Sequence, residues 1–404
     1  MPSHRGGDLG KAHILIAGAG IGGIVAALAL VQRSFAVSLF EQAAELRELG
    51  AGVQISPSGS RVLRALDLLP AMAAIASVPA VKEMRLFNTG EAWRVQDLGA
   101  SAEERYGAPY WLVHRGDFHS VLVRALEERA PGAVRVGARV VRFEQDPKGV
   151  TLLLESGERV RGDALIGADG VHSVVRQQLF GDGVATFTGF MAWRGVVPME
   201  RLPERLRQRY GMTWIGPHGH VVTYPLRRGE VLNFVTAIDR DDWLIESWSE
   251  PGTREECRHD FAGWHPDVLA IVDAIDVPYK WAMLGREPLA RWSEGRVSLL
   301  GDACHPTLPF LAQGANMAIE DAMVLARCLD ACASPEALRR YEAARLDRTS
   351  RIVRASLENA SRYHNPQLAE PAQARAFMAR EFAPRAMGAR YDWLYEYDAL
   401  TVPI

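Results

Sequence analysis

Apolar residues along this chain fall into three textures: short solid runs, alternating runs and helical stripes, each confined to its own stretch. Residues 13–17 (HILIA) form a solid run of strand length, residues 22–33 carry apolar and small side chains at helical spacing, and residues 36–41 (AVSLFE) return to a β-rich run. A buried strand, a buried helix and a second buried strand in that order make one βαβ unit. Two later stretches repeat the shape. Residues 164–170 (ALIGADG) lead into a helix near 172–180. Residues 297–303 (VSLLGDA) lead through a loop broken by an acid, a histidine and two prolines into a helix from about 314 to 331. Each run ends in an acid at the strand's carboxyl end: Glu41, Asp169 and Asp302. In open α/β sheets ligands collect at this edge, so the three stretches are expected to converge on one cofactor.

Between about 186 and 281 the chain alternates apolar and polar residues, as in FMAWRGVVP, TWIGPHGHVVTYPL and VLNFVTAI, with turn residues between the runs. This pattern predicts an antiparallel sheet with one covered face. Beyond about 334, EALRRYEAARLDRTSRIVRASLENASR predicts a long, partly exposed helix, and the chain closes on the aromatic RYDWLYEYDAL. The expected fold class is α/β, with a Rossmann-like nucleotide-binding domain over 1–180 that is completed by 285–333. An antiparallel β-sheet substrate domain is expected over 181–284, joined by the segment near 76–102, and a helical region over 334–404.

Composition narrows the class of partner. At 404 residues, with 48% hydrophobic content and a formal net charge of −3, the chain has material for two or three packed units. It has no basic run that would concentrate nucleic acid or an anionic membrane surface, so a small-molecule partner is expected. The four cysteines, Cys257, Cys304, Cys328 and Cys332, contain no C-x-x-C pair, so neither a metal site nor a disulfide framework is expected, which suits a reducing cytoplasm. Residues 12–31 lack any charge and resemble a membrane span in length. Gly18, Gly20, Gly22 and Gly23 in their midst point instead to a sharp turn between strand and helix.

Gly18, Gly20 and Gly23 make a G-x-G-x-x-G motif at that turn, and Glu41 closes the next strand. Such glycines let backbone N–H groups approach a pyrophosphate at a helix N-terminus, while the acid can accept hydrogen bonds from a ribose. The motif alone leaves FAD and NAD both open. Three further stretches carry more: HRGDFH at 114–119, GADGVHSVVR at 167–176 and GDACHPTLPFLAQGANMAIEDA at 301–322. Together with GAGIGG and Glu41 they resemble the single-component FAD-dependent aromatic hydroxylases, and in particular the branch of salicylate 1-hydroxylase, 3-hydroxybenzoate 6-hydroxylase and 6-hydroxynicotinate 3-monooxygenase. The likeness runs over nearly the whole chain. It implies a p-hydroxybenzoate hydroxylase-like fold, FAD as cofactor, and NADH or NADPH as co-substrate. The implied activity is hydroxylation of a phenolic aromatic carboxylate by O2 through a flavin C4a-hydroperoxide.

Position by position, the resemblance implies that Glu41 holds the adenosine ribose, Arg115 the FAD phosphates or ribityl chain, and Asp302 the ribityl hydroxyls. Asp169, with Arg176 close by, would help bind FAD and the transient nicotinamide. Backbone N–H groups at Gly314 and Ala315, at the start of a helix, would stabilise negative charge on reduced flavin. Pro306 and Pro309 fix the loop before that helix. His305 is expected to shape the pocket rather than to act as a base, and Cys304 to be a packed side chain.

On the substrate side, His220, Val222 and Tyr224 alternate in GPHGHVVTYPL, so one strand face carries all three. Four residues of strand set His220 and Tyr224 on the order of 13 Å apart, enough to bracket a substituted benzene ring. A phenol becomes nucleophilic when its hydroxyl is deprotonated or strongly hydrogen-bonded, and an imidazole titrating at roughly 6.5 suits that task. His220 and Tyr224 are the expected catalytic pair, and the resembling branch has a histidine and a tyrosine at this spacing. Arg194, Tyr106 and Tyr110 are secondary candidates for contacts near the ring. Salicylate, hydroxylated with loss of carbon dioxide, is the first choice of substrate. The 3-hydroxybenzoate 6-hydroxylases tend to have glutamine where this chain has Pro309, which weighs against their specificity. Partners expected are the aromatic acid, NAD(P)H and O2, with a homodimer as the one assembly considered. A flavin-dependent dehydrogenase, or a flavin-binding protein without catalysis, is the alternative from another class.

Overall fold

A computed structural model of the chain describes residues 11–46, 51–181, 183, 185–207, 210–240, 242 and 250–404. The first ten residues of the expected 1–180 domain lie outside the described residues. A six-stranded sheet runs, in spatial order, Ser293–Glu294, Val297–Leu299, Ala164–Gly167, His13–Ala17, Ala36–Phe40 and Val134–Arg135. All its pairings are parallel except that of Ser293–Glu294 with Val297–Leu299. Its centre is dry: Ile14, Leu15, Ile16, Leu165 and Ile166 are fully buried, as expected for parallel strands covered on both faces. Helix Ile21–Val31 packs against helix Gly314–Ala331. Their approach requires Gly22, where a Cβ would stand 2.7 Å from Leu300 and 3.1 Å from Ala318. The apolar stretch 12–31 is thus a strand, a glycine turn and a buried helix, and no helix among the described residues is long and apolar enough to cross a membrane.

The second large sheet has seven strands in the order Tyr279–Gly285, Thr186–Pro198, Val231–Asp239, Gly219–Leu226, Gly211–Gly216, Val81–Leu86 and Ala92–Asp97. Pairing is antiparallel except between Gly211–Gly216 and Val81–Leu86. One face carries Trp193, Trp214, Val221 and Phe234, which pack on helices Arg254–Asp260 and Pro266–Asp273 through Cys257, Phe261 and Ile271. Alternation sends His220, Val222 and Tyr224 to the opposite face.

That opposite face is roofed from both ends of the chain. Strand Gly52–Ile55 pairs with Trp111–His114 above it, and helix Glu336–Tyr363 brings in Pro371–Glu381 and Pro384–Tyr395. Tyr363, Phe377, Phe382, Tyr391 and Tyr395 form one apolar cluster with Met84, Tyr110, Ile215 and Tyr224. Burying an aromatic side chain of this size contributes about 2–3 kcal/mol, so the terminal helices are held to the sheet by their tyrosines and phenylalanines. A buried ion network ties the same helices to the nucleotide half. Arg345 lies 2.7 Å from Asp321 and 2.8 Å from Glu320, and Arg348 lies 2.8 Å from Glu320.

Candidate active site

The glycine turn is built for close approach. Gly18 has φ +100, a region that disfavours a side chain, and a Cβ on Gly23 would come 2.0 Å from the Gly18 carbonyl oxygen. At Gly20, by contrast, a Cβ would meet nothing within 4 Å, because the residue borders open space. The carboxylate of Glu41 accepts from the backbone N–H groups of Ala19, at 3.0 Å, and Ala43, at 2.8 Å. Each oxygen thus spends one lone pair on fixing the turn and keeps another for an outside donor. In HRGDFH, His119 is buried with Nε2 2.7 Å from the Ala19 carbonyl, and His114 caps the helix through the Asp117 N–H, so both histidines brace the turn.

A cavity of about 440 Å³ opens between this turn and the seven-stranded sheet. Its upper part is lined by Gly20, Gly22, Arg115, Asp302, Gly314 and Ala315, together with Pro306 and Pro309. Asp302 is surrounded by protein, yet its carboxyl is accessible from within the cavity and makes no hydrogen bond among the described residues. Burial pushes this carboxyl up, while His305 and Arg115 pull it back. Helix Gly314–Ala331 begins at the cavity, and the side chain of Gln313, its N-cap, donates to the Leu311 carbonyl and does not cap the helix, so the first N–H groups are left for another acceptor. The turn that leads there holds Ala312 at φ +54, an unusual conformation for a residue with a side chain.

Three expected site residues, His305, Asp169 and Arg176, are not part of the cavity lining. His305 does not line the cavity: it is buried against Trp292 with Nε2 2.7 Å from Asp321, and so belongs to the ion network of Arg345. Asp169 accepts from the Ser173 hydroxyl and the Val175 N–H, which makes its carboxylate a brace for helix Val174–Phe180. Arg176, buried, donates to the carbonyls of Val171 and Ala303 and joins two loops under the cavity. The contacts of Asp169 and Arg176 run within the protein, and only the neighbouring Ala168, Gly170 and Val171 reach the cavity wall. Cys304 is buried with its thiol 3.3 Å from the Gly301 carbonyl, and burial raises its pKa well above the ordinary value.

The lower part of the cavity is the open face of the seven-stranded sheet. His220, Val222, Tyr224 and Arg194 line it, with Tyr110 donating to Gln54 Oε1 at 2.6 Å. Tyr224 packs over Gly52, where a Cβ would collide with its ring at 2.4 Å. Arg194 lies over the rings of Tyr279 and Trp281. Tyr106, the remaining secondary candidate, donates to Asp392 and lies outside the lining.

His220 is part of a chain of polar groups that leads out of the cavity. Its Nδ1 lies 2.7 Å from His364 Nε2, and His364 Nδ1 lies 2.5 Å from Asp239 Oδ1. Asp239 in turn approaches His218 Nδ1 at 3.3 Å, where the two side chains are 37% and 75% exposed. Burial raises the Asp239 carboxyl, but the interactions with His364 and His218, led by the His364 hydrogen bond, outweigh it and hold the group below the usual carboxylate range. An ionised carboxylate only accepts, so His364 carries a proton on Nδ1, and in its neutral form it accepts at Nε2. His220 must then donate from Nδ1, which leaves the lone pair of its Nε2 free, and that nitrogen has no partner among the described residues. Burial, the largest cause, holds His220 well below the ordinary imidazole pKa, so the ring is neutral. Nothing in the sequence motifs marks His364, Asp239, Lys82 or Tyr363, and Tyr391 and Tyr395 enter only through the closing aromatic stretch RYDWLYEYDAL. The available signals were faint: Asp239 closes the strand VLNFVTAID, and Lys82 takes one turn of the alternation in VKEMRL.

A glycine turn beside a parallel sheet, joined to a deep cavity on a second sheet, defines a dinucleotide-dependent enzyme of small molecules. The model of the FAD binding domain family matches residues 11–356, and the chain belongs to that family, within its aromatic-ring monooxygenases. It is 38% identical to 3-amino-4-hydroxybenzoate 2-monooxygenase of Streptomyces platensis over 97% of this chain and 98% of that one. It is 37% identical to 3-hydroxybenzoate 6-hydroxylase of Polaromonas naphthalenivorans over 95% and 96% of the two chains. Klebsiella pneumoniae HpxO, solved with FAD and uric acid, superposes with a TM-score of 0.82 at 29% identity, covering 95% of this chain and 97% of that one. The protein is thus an FAD-dependent aromatic hydroxylase that uses NAD(P)H. The residues present fit the cofactor: an open Gly20, an Asp302 carboxyl without a hydrogen-bond partner among the described residues, and the uncapped N–H groups at the start of helix Gly314–Ala331 all face the same cavity.

Proposed function

We propose that the protein hydroxylates the ring of a benzoate-type acid that carries a hydroxyl group, with His220 as the acceptor of the phenolic proton. The observation that carries this is the outward chain from His220 through His364 to Asp239, which ends where solvent can take the proton. When bound and reduced, FAD would supply the chemistry that activates O2, in the cavity that Gly314 and the sheet face line. Glu41 would hold the ribose, Arg115 the phosphates or ribityl chain, and Asp302 the ribityl hydroxyls. The N–H groups of Gly314 and Ala315 would stabilise negative charge on the reduced ring.

The chain's own residues then act on the substrate. Nε2 of His220 accepts the phenolic proton while Nδ1 passes one to His364 Nε2, and His364 Nδ1 passes one to Asp239 Oδ1. The buried imidazole therefore need not persist as a cation, which its surroundings disfavour. Tyr224 and Tyr110 orient the ring, and the tyrosines of the C-terminal helices exclude water. The four cysteines are free; a cytoplasmic homodimer is the proposed state, and sedimentation of the holoenzyme tests the dimer.

The test is turnover of NADH and oxygen by the holoenzyme with salicylate, 3-hydroxybenzoate, 6-hydroxynicotinate and 3-amino-4-hydroxybenzoate. At least one is expected to accelerate NADH oxidation and to yield a hydroxylated product. Release of carbon dioxide would mark salicylate chemistry, and failure of all four would overturn the substrate class. A flavin dehydrogenase would instead turn over without oxygen.

A further inference from the structure

Lys82 is a largely enclosed cation with no carboxylate counter-ion among the described residues. It lies on strand Val81–Leu86 with its ammonium inside the cavity that His220 and Tyr224 line. Its one hydrogen-bond partner among the described residues is the Tyr391 hydroxyl, at 3.4 Å, and the ammonium stands 5.2 Å from the centre of that ring. No carboxylate among the described residues pairs with it. The adjacent Glu83 points to the other side of the strand and pairs with Arg85 at 2.6 Å. Two other interior cations do meet carboxylates: Arg345 pairs with Glu320 and Asp321, and Arg348 with Glu320. A buried ammonium with only a phenol and an aromatic face is costly unless an anion joins it.

The register shows where that anion would lie. Lys82 is opposite Gly211, which continues the pairing of Met212 with Thr223 to stand beside Tyr224. Lys82 and Tyr224 therefore occupy one row of the sheet, and the glycine between them leaves the floor open. His220 is four residues along the strand from Tyr224, so the backbones of Lys82 and His220 are on the order of 16 Å apart across the same face. We propose that Lys82, with the Tyr391 hydroxyl, is the subsite for the substrate's carboxylate, and that it selects aromatic acids whose carboxylate is meta or para to the hydroxyl held by His220. Ortho groups point to one edge of the ring and cannot engage both ends of such a site. This rests on the reading of the substrate as a hydroxylated aromatic acid.

The test is a binding measurement, which does not depend on turnover. The holoenzyme is titrated with benzoate, 3- and 4-hydroxybenzoate, salicylate and the neutral 4-hydroxybenzamide, following the flavin absorption spectrum. Wild type is expected to bind the meta and para acids at least 10-fold more tightly than salicylate or the amide. Lys82→Met is expected to weaken the acids 30-fold or more, to leave the amide within 3-fold, and to melt no lower than wild type without ligand, since an unpaired charge has been removed. Lys82→Arg should recover part of the acid affinity. Equal binding of acids by wild type and Lys82→Met overturns the proposal, as does an equal loss of acids and amide. If Lys82→Met fails to keep FAD, Lys82→Gln is titrated in its place under the same criteria. Failure of all acids to be hydroxylated, with benzoate binding still dependent on Lys82, would sink the reading of the reaction and leave the carboxylate subsite standing.

Discussion

Replacing His364 by alanine removes the acceptor that fixes the tautomer of His220. The Nδ1–H of His220 is buried and has His364 Nε2, 2.7 Å away, as its partner. Leaving such a donor unsatisfied costs about 1–3 kcal/mol, which corresponds to roughly 5- to 150-fold in the population that presents a lone pair at Nε2. The same free energy is expected as an upward shift of about 1–2 units in the pKa of the bound phenol. A hydroxybenzoate ligand reports this directly, through the phenolate absorption of the holoenzyme complex titrated through the neutral range. His364→Gln is the control: its amide oxygen can accept from His220 and its NH2 can donate to Asp239, but it passes on no proton. It should recover most of the pKa shift while coupled hydroxylation stays slow. A phenol pKa and a coupling ratio equal to wild type in His364→Ala, with FAD still bound, would refute the assigned role of the chain.

Other expected outcomes follow from the same geometry. Gly23→Ala, whose Cβ would stand 2.0 Å from the Gly18 oxygen, should displace the turn and raise the Kd for FAD by about 100-fold, read from flavin fluorescence on binding. Arg345→Met leaves Asp321 and Glu320 buried with fewer partners and should cost about 3 kcal/mol in urea unfolding of the holoenzyme. The depressed pKa of His220 has a defined sign. Above about pH 6.5 both folded and unfolded rings are neutral; below it the unfolded chain binds a proton that the folded ring refuses. Its contribution to stability is therefore lost as pH falls below about 6.5, and the difference in Tm between wild type and His220→Gln should change there and stay flat above.

The features legible from sequence were those written locally. A strand, a glycine turn and a helix within residues 13–31 need only their own neighbours to be recognised, and the period-2 placement of His220 and Tyr224 needs only one strand. His305 and Asp169 were harder because their use depends on what lies opposite. The first meets Asp321, which is itself held by Arg345 of another helix, and the second folds back on Ser173. His364 ends a helix 144 residues after His220, and Tyr391 sits 309 residues after Lys82; nothing in either local pattern marks them as neighbours. Only the closure of the C-terminal helices over the sheet brings them together, which is why the aromatic RYDWLYEYD stood without a task.

The central claim is that this protein transfers one atom of molecular oxygen to a hydroxylated aromatic acid. Turnover with NADH under isotopically labelled oxygen gas, followed by mass analysis of the product, tests it most directly. One labelled oxygen atom in the ring product, with the second in water, is the expected result; product carrying oxygen from unlabelled water, or turnover that continues without oxygen, would contradict it.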